Sequence, residues 1–161
     1  MTLESLRAYS ESTSSTTLYS LLHLLSLQSS SEYSHAASHL GLSHTLATLL
    51  RALPFHSYRG RVVIPAEITA KHCVSQEDML RRGGAAEGIS DAVYDFACVA
   101  KEELEGATEH VKNNGKVPDD VLPIFLSGVS PASCSSCLGW KIFMMAIIRC
   151  PSPIICQGLK R

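Results

Sequence analysis

A chain of 161 residues, 45% of them hydrophobic and 18% charged, has the length of about one domain and enough apolar material for a packed core, which excludes a disordered linker or tail. Fourteen Lys and Arg against fifteen Asp and Glu give a formal net charge of -1, and the basic residues cluster only at 59–61, so nothing in the charge favours a nucleic-acid partner. The longest apolar run, Ile142 to Ile148, is closed by Lys141 and Arg149 and falls short of the roughly 18 residues that cross a bilayer.

From Thr2 to Leu27 a Ser/Thr-rich patch is followed by Leu18, Leu21, Leu22, Leu24 and Leu25, which predicts one long helix with a soft, hydroxyl-rich middle. Arg7 is the only basic residue before His23, so this segment does not read as an arginine-rich presequence, and a targeting segment is not expected within the chain. Gln28 to Ser34 reads as a serine-rich connector, with a new helix from about His35. In that helix Leu46, Leu49, Leu50 and Leu53 mark a buried stripe that ends close to Pro54, because proline removes a backbone donor. A polar basic loop, Ser57 to Arg61, and the apolar run Val62, Val63 and Ile64, closed by Pro65, come next.

Val74 to Arg82 reads as a short helix with Ser75 and Asp78 in capping-box relation, stopped by Gly83 and Gly84. The clearest helix follows: Ile89, Val93, Phe96, Ala100, Leu104, Ala107 and Val111 hold one face from Ser90, a plausible N-cap, to Lys112, and Asn113-Asn114-Gly115 ends it. Val117-Pro118-Asp119-Asp120 opens a further helix that closes near Gly128. The expected organisation is an all-α domain over residues 1–130 and a tail over 131–161 that has no sustained period.

Three constellations invite chemical readings. Asp91 and Asp95 form D-x-x-x-D on one helix face, a pattern that suits Mg²⁺ and a diphosphate, yet Asp91 lies in the first helical turn, where an acid meets the helix dipole and the surface. His35 and His39 stand four apart, with His44 and His56 nearby, but no glutamate completes H-E-x-x-H, so hydrogen-bonded or exposed histidines are expected. Six cysteines at 73, 98, 134, 137, 150 and 156 include Cys134-x-x-Cys137, but no second tight pair follows, so thiols are expected in place of zinc or a disulfide framework.

The order of parts from Leu46 to Pro65 resembles the squalene and phytoene synthase family, in which a helix carrying N-x-x-R-D-x-x-x-D precedes a glycine-and-arginine loop, an aromatic or aliphatic pair and a proline. Arg51 matches the arginine, Gly60 and Arg61 the loop, and Pro65 the closing proline. Thr48 stands at the asparagine, Ala52 at the first aspartate and His56 at the last. Mg²⁺ reaches a diphosphate through hard oxygen ligands, which alanine and histidine do not supply. The resemblance runs from Leu6 to Val129 and implies the C-terminal portion of an isoprenoid-synthase-type helical bundle, of marginal stability without the rest.

His35 to Gly41, Leu50 to His56 and His72 to Arg82 are similar to the branch of that family found among assembly factors of mitochondrial respiratory complex I. That branch implies a non-catalytic scaffold without cofactor, held peripherally on the matrix side of the inner membrane, whose partners are complex I subunits or other assembly factors. Two alternatives stand beside it. One is a prenyl-diphosphate transferase using Asp91 and Asp95 with Arg59 and Arg61; the other is a non-catalytic isoprenoid or lipid binder. Tyr58, Arg59 and Arg61 offer an anion site without metal, since arginine forks match phosphate oxygens.

Overall fold

The computed structural model describes residues 1–25, 31–82, 86–113 and 122–125. Every regular element among them is helical. Helix α1 (Leu3–Ser10) begins at Thr2, whose Oγ1 accepts from the Ser5 N–H while Ser5 Oγ accepts from the Thr2 N–H, a capping box with serine in the usual glutamate place. A π-turn (Glu11–Ser15) leads into α2 (Thr16–Leu24), and the backbone stays right-handed helical at both junctions, so one helical path runs from Leu3 to Leu24, while residues 26 and 27 of the expected helix lie outside the described residues. Its wide turn falls in the hydroxyl-rich stretch. Thr13 Oγ1 donates to the Tyr9 carbonyl at 2.7 Å and Thr16 Oγ1 to that of Glu11 at 2.7 Å, local bonds that compete with the α-helical ladder.

Helix α3 (Ser31–Arg51) starts four residues before the expected His35, so Ser31 to Ser34 are helix and not connector. Tertiary packing explains the extension: Tyr33 is buried, with its ring 6.4 Å from that of Phe125 in α8 (Leu122–Phe125), and Glu32 sits in the dipole-favoured first turn. Pro54 does not end the helical path. After a break at Ala52, α4 (Leu53–Tyr58) takes Pro54 into its first turn, where a missing N–H costs nothing, so Ser57 and Tyr58 are helical and only Arg59 to Arg61 form the loop.

That loop is a helix C-cap. Gly60 N–H donates to the Ser57 carbonyl and Arg61 N–H to that of His56, a Schellman motif with Gly60 at φ +70° in the left-handed position. Helix α5 (Ala66–Lys71), too short to show a period, was not expected; it ends the same way, through Cys73 N–H to Ala70 and Val74 N–H to Thr69, with Cys73 at φ 54° where glycine is usual.

Helix α6 (Gln76–Arg82) is capped by Ser75 Oγ, which accepts from Glu77 and not from Asp78. Helix α7 (Ile89–Asn113) includes Ser90, which is therefore not its N-cap. The entry is set by Gly88 at φ +76°, where a Cβ would come within 2.8 Å of the His72 carbonyl. Of the helix expected over 117–128 only α8 belongs to the described residues, and the tail 131–161 with its four cysteines lies outside them.

Helices α3 and α7 make the most extensive pairing and run antiparallel: Ser43 Oγ donates to the Ala100 carbonyl at 2.9 Å, and His39 meets Glu103 further along α7. Leu42, Leu46 and Leu50 of α3 and Ile89, Val93, Phe96 and Ala100 of α7 face each other at helical spacing, with Leu6, Leu53, Ile64 and Met79 closing the cluster. A second cluster joins Leu18 and Leu22 of α2 to Tyr33, Ala37 and Leu40 of α3, Ala107 of α7 and Ile124 of α8. Each large apolar side chain buried in this way contributes about 1.5–3 kcal/mol.

Candidate functional site

The end of α3 and the start of α4 carry the positions that match the family pattern. Thr48 and Arg51 are exposed, Ala52 is half-buried at the break, and His56 is half-buried on α4. Thr48, Ala52 and His56 follow one another at intervals of four, as ligands around one metal would, but they offer a hydroxyl, a methyl and an imidazole. Among the described residues no three His, Cys, Asp or Glu side chains converge where they could hold an ion. The positions therefore do not fit the Mg²⁺–diphosphate centre of the family pattern.

A basic aromatic corner remains beside them. The Arg59 guanidinium lies 4.3 Å above the Phe55 ring, Phe55 meets His56 edge-on at 5.7 Å, and Tyr58 is 86% exposed. The Schellman cap turns the Arg61 N–H toward the His56 carbonyl and leaves the Arg61 side chain exposed. The Nδ1 of His56 is one of two buried side-chain polar atoms with no hydrogen-bond partner among the described residues.

The D-x-x-x-D pair on α7 is divided between different roles. Asp91 is exposed in the first turn, as expected of an acid near the positive end of the dipole. Asp95 is engaged: its Oδ2 accepts from Lys71 Nζ at 2.6 Å and lies 2.8 Å from His72 Nε2. Hydrogen bonds first from Lys71 and then from His72 hold the Asp95 carboxyl below the usual aspartate range, and the Asp95 bond raises Lys71 above the usual lysine range. Asp95 thus fastens the end of α5 to α7.

His35 and His39 share a face of α3, but His44 and His56 do not join them. The third imidazole near the pair is His110 of α7, with ring centroids 5.9 Å from His35 and 5.4 Å from His39. His110 escaped the sequence reading because its proximity depends on the α3–α7 register. The available signal was its spacing of seven residues from Glu103, which itself binds His39.

A family model for squalene/phytoene synthase matches residues 1–133. The chain is similar to proteins named "NADH dehydrogenase (ubiquinone) complex I, assembly factor 6" from Rattus norvegicus and Homo sapiens, each 38% identical over 128 residues, which cover 80% of this chain and 37% of the relative. The Drosophila melanogaster homolog of that factor is 36% identical over the same shares. The chain therefore spans little more than a third of the length of these curated relatives. No solved structure matches it. The all-helical core and the Arg51, Gly60, Arg61 and Pro65 frame agree with a family match over most of the sequence: the chain belongs to the squalene/phytoene synthase family.

Proposed function

We propose that this chain is part of a non-catalytic assembly factor for mitochondrial respiratory complex I, a pseudoenzyme that acts through protein contacts. The observation that carries this reading is the replacement of the acidic positions by Ala52 and His56 on an otherwise retained helical frame. The engagement of Asp95 by Lys71 and His72 supports it, because the one D-x-x-x-D in the described residues then presents a carboxylate already neutralised by a cation. The names of the similar proteins point the same way.

Its place in this reading is the matrix side of the inner mitochondrial membrane, with peripheral attachment, and its partners are complex I subunits or other assembly factors. No helix among the described residues is long and apolar enough to cross a membrane. The test is deletion of the gene for the full-length protein, with assembled complex I read on a native gel. Wild type and an Asp91→Ala, Asp95→Ala double variant, matched for protein level, are expected to restore it equally. The purified protein is expected to leave farnesyl and geranylgeranyl diphosphate unchanged with Mg²⁺; turnover, or rescue by wild type alone, returns the prenyl-diphosphate transferase.

The Arg59 guanidinium over the Phe55 ring, with Tyr58 and Arg61 exposed on the same helix end, favours a second, compatible reading, in which the corner binds an isoprenoid diphosphate or lipid headgroup without reaction. Saturable binding of farnesyl diphosphate without turnover, lost in an Arg59→Ala, Arg61→Ala variant, is the expected result. Unchanged binding by that variant excludes the corner.

A further inference from the structure

Charge is sorted by place in this molecule. Residues 33–66 hold no Asp or Glu, yet they carry Arg51, Arg59 and Arg61, all exposed. The other described arginines are committed: Arg7 pairs with Glu103 at 3.0 Å, Arg81 with Glu77 at 3.5 Å and Arg82 with Asp78 at 3.9 Å. Arg51, Arg59 and Arg61 form no ion pair among the described residues. They flank α4, the helix that exposes Phe55 and Tyr58. We propose that this end of the molecule docks on an anionic lipid bilayer, with the two rings entering the headgroup boundary and the three guanidinium groups meeting lipid phosphates. The proposal rests on the reading of peripheral attachment and deepens it by naming the face and the charge of the lipid.

The net charge of -1 conceals this polarity. Helices α3 and α7 run antiparallel, so the acidic half of α7 lies toward the far end of α3 from Arg51. Glu103 meets His39, which precedes Arg51 by twelve residues, or about 18 Å at a rise of about 1.5 Å per residue. Glu105 and Glu109, both exposed, lie beyond that point. Exposed charges are screened over about 8 Å at physiological ionic strength, so these acids do not cancel the arginines. The remaining acids toward the basic end sit on other elements. Glu67 of α5 accepts from the Leu3 N–H, Asp95 is bound by Lys71, and Glu87 and Asp91 flank the start of α7. The face around α4 is therefore cationic, and the acids at the opposite end would turn it toward an anionic surface.

The aromatic side chains select a bilayer among anionic partners. Tyrosine has an apolar body and a polar tip, which is why it gathers at the level of the headgroups. The Arg59 guanidinium lies 4.3 Å from the centre of the Phe55 ring, so ring and charge can enter the boundary as one unit, the ring deeper and the charge at the phosphates. Apolar faces of this kind reach about 5–10 Å into the boundary. An acidic protein would answer the arginines alone, whereas an apolar layer beneath phosphates answers both. The Schellman cap at Gly60 fixes the backbone of this loop without using the Arg59 or Arg61 side chain, which leaves both guanidinium groups for lipid.

The test is co-sedimentation of the full-length protein with vesicles of phosphatidylcholine, alone or with one part in four of phosphatidylserine. Binding is expected only to the anionic vesicles and is expected to fall with added salt. A basic side chain at such a surface changes partitioning roughly fivefold, so Arg59→Gln should bind about fivefold more weakly and an Arg51→Gln, Arg59→Gln, Arg61→Gln variant about 100-fold. Lys112→Gln removes the same charge from the exposed far end of α7 and should bind as wild type. Phe55→Ser, Tyr58→Ser should weaken binding by at least about fivefold, because binding also scales with the apolar area buried. All of these side chains are exposed, and unchanged thermal midpoints check that the variants fold. Absence of binding, equal binding to neutral vesicles, a triple arginine variant that binds as wild type, or an equal loss in Lys112→Gln would overturn the face. So would capture of polyglutamate without vesicle binding, which assigns the arginines to an acidic protein. Release from vesicles by inorganic diphosphate at constant ionic strength would also overturn it, by making the corner a site for a soluble anion. Complex I in the deletion cells decides the assembly reading separately, because vesicle binding needs no complex I.

Discussion

Cys73 and Gly60 occupy the same place in two helix caps, yet only one of them is the residue that the backbone favours. A side chain in the left-handed region costs about 1–2 kcal/mol, partly offset in a glycine variant by the greater freedom of the unfolded chain. Cys73→Gly should therefore raise stability by up to about 1 kcal/mol, read as a higher urea midpoint, and Gly60→Ala should lower it by about the same amount. Asp95 gives a second prediction. A carboxyl held below its ordinary value stabilises the fold above that value and loses the contribution as pH falls through its lowered pKa. A raised lysine contributes below its ordinary value and is lost as pH rises through its raised one. The difference in urea midpoint between wild type and Asp95→Asn should thus vanish well below the ordinary aspartate value of 3.8 and shrink above the ordinary lysine value of 10.5. The pair is part-exposed and solvent-screened, so a difference that persists in acid would assign the effect to packing. The placing of Thr48, Ala52 and His56 at the family's acidic positions rests on motif spacing in the sequence alone. The left-handed Cys73 was not legible there, because cysteine carries no turn signal.

Helix propensity and packing make opposite claims at Gly41. Alanine in a helix interior is favoured over glycine by about 1 kcal/mol. Against this, a Cβ at Gly41 would lie 2.4 Å from Ser15 Oγ and 2.8 Å from the Ser15 backbone nitrogen, and a backbone atom cannot swing aside. Overpacking of this kind costs about 1–3 kcal/mol, so Gly41→Ala should destabilise the chain on balance, measured by chemical unfolding. A stabilised variant would mean that the π-turn does not press on α3. The long helices α3 and α7 were readable because an apolar face repeated over several turns leaves little choice of period. Helices α4 and α5, six residues each, complete too few turns to show one, and their boundaries are set by Pro54, Pro65 and tertiary contacts. The early start of α3 was likewise invisible, since only the burial of Tyr33 against Phe125 rewards it.

The described part of the molecule has a core of its own but leaves large apolar groups uncovered, among them Phe55, Tyr58, Leu80 and Tyr94. Phe55 and Tyr58 lie on the same short helix, and exposed apolar surface invites association. A Phe55→Ser, Tyr58→Ser variant of the isolated chain should scatter less light at a given concentration while keeping its thermal midpoint within about 1 °C per few tenths of a kcal/mol of surface effect. A large fall in midpoint would instead place these rings in the core. The family and all-helical architecture were legible at this scale, whereas the histidine cluster needed the register of two helices distant in sequence.

The cap at the end of α4 has one more consequence. Gly60 completes the Schellman motif and the Arg61 N–H binds the His56 carbonyl, so the glycine-and-arginine loop has a folding task whether or not a diphosphate ever reaches it. Folding alone is then reason enough to keep glycine at position 60, whereas Arg61 gives the cap only a backbone N–H that any residue but proline would supply. A motif can outlive its chemistry when its backbone half and its side-chain half answer to different pressures.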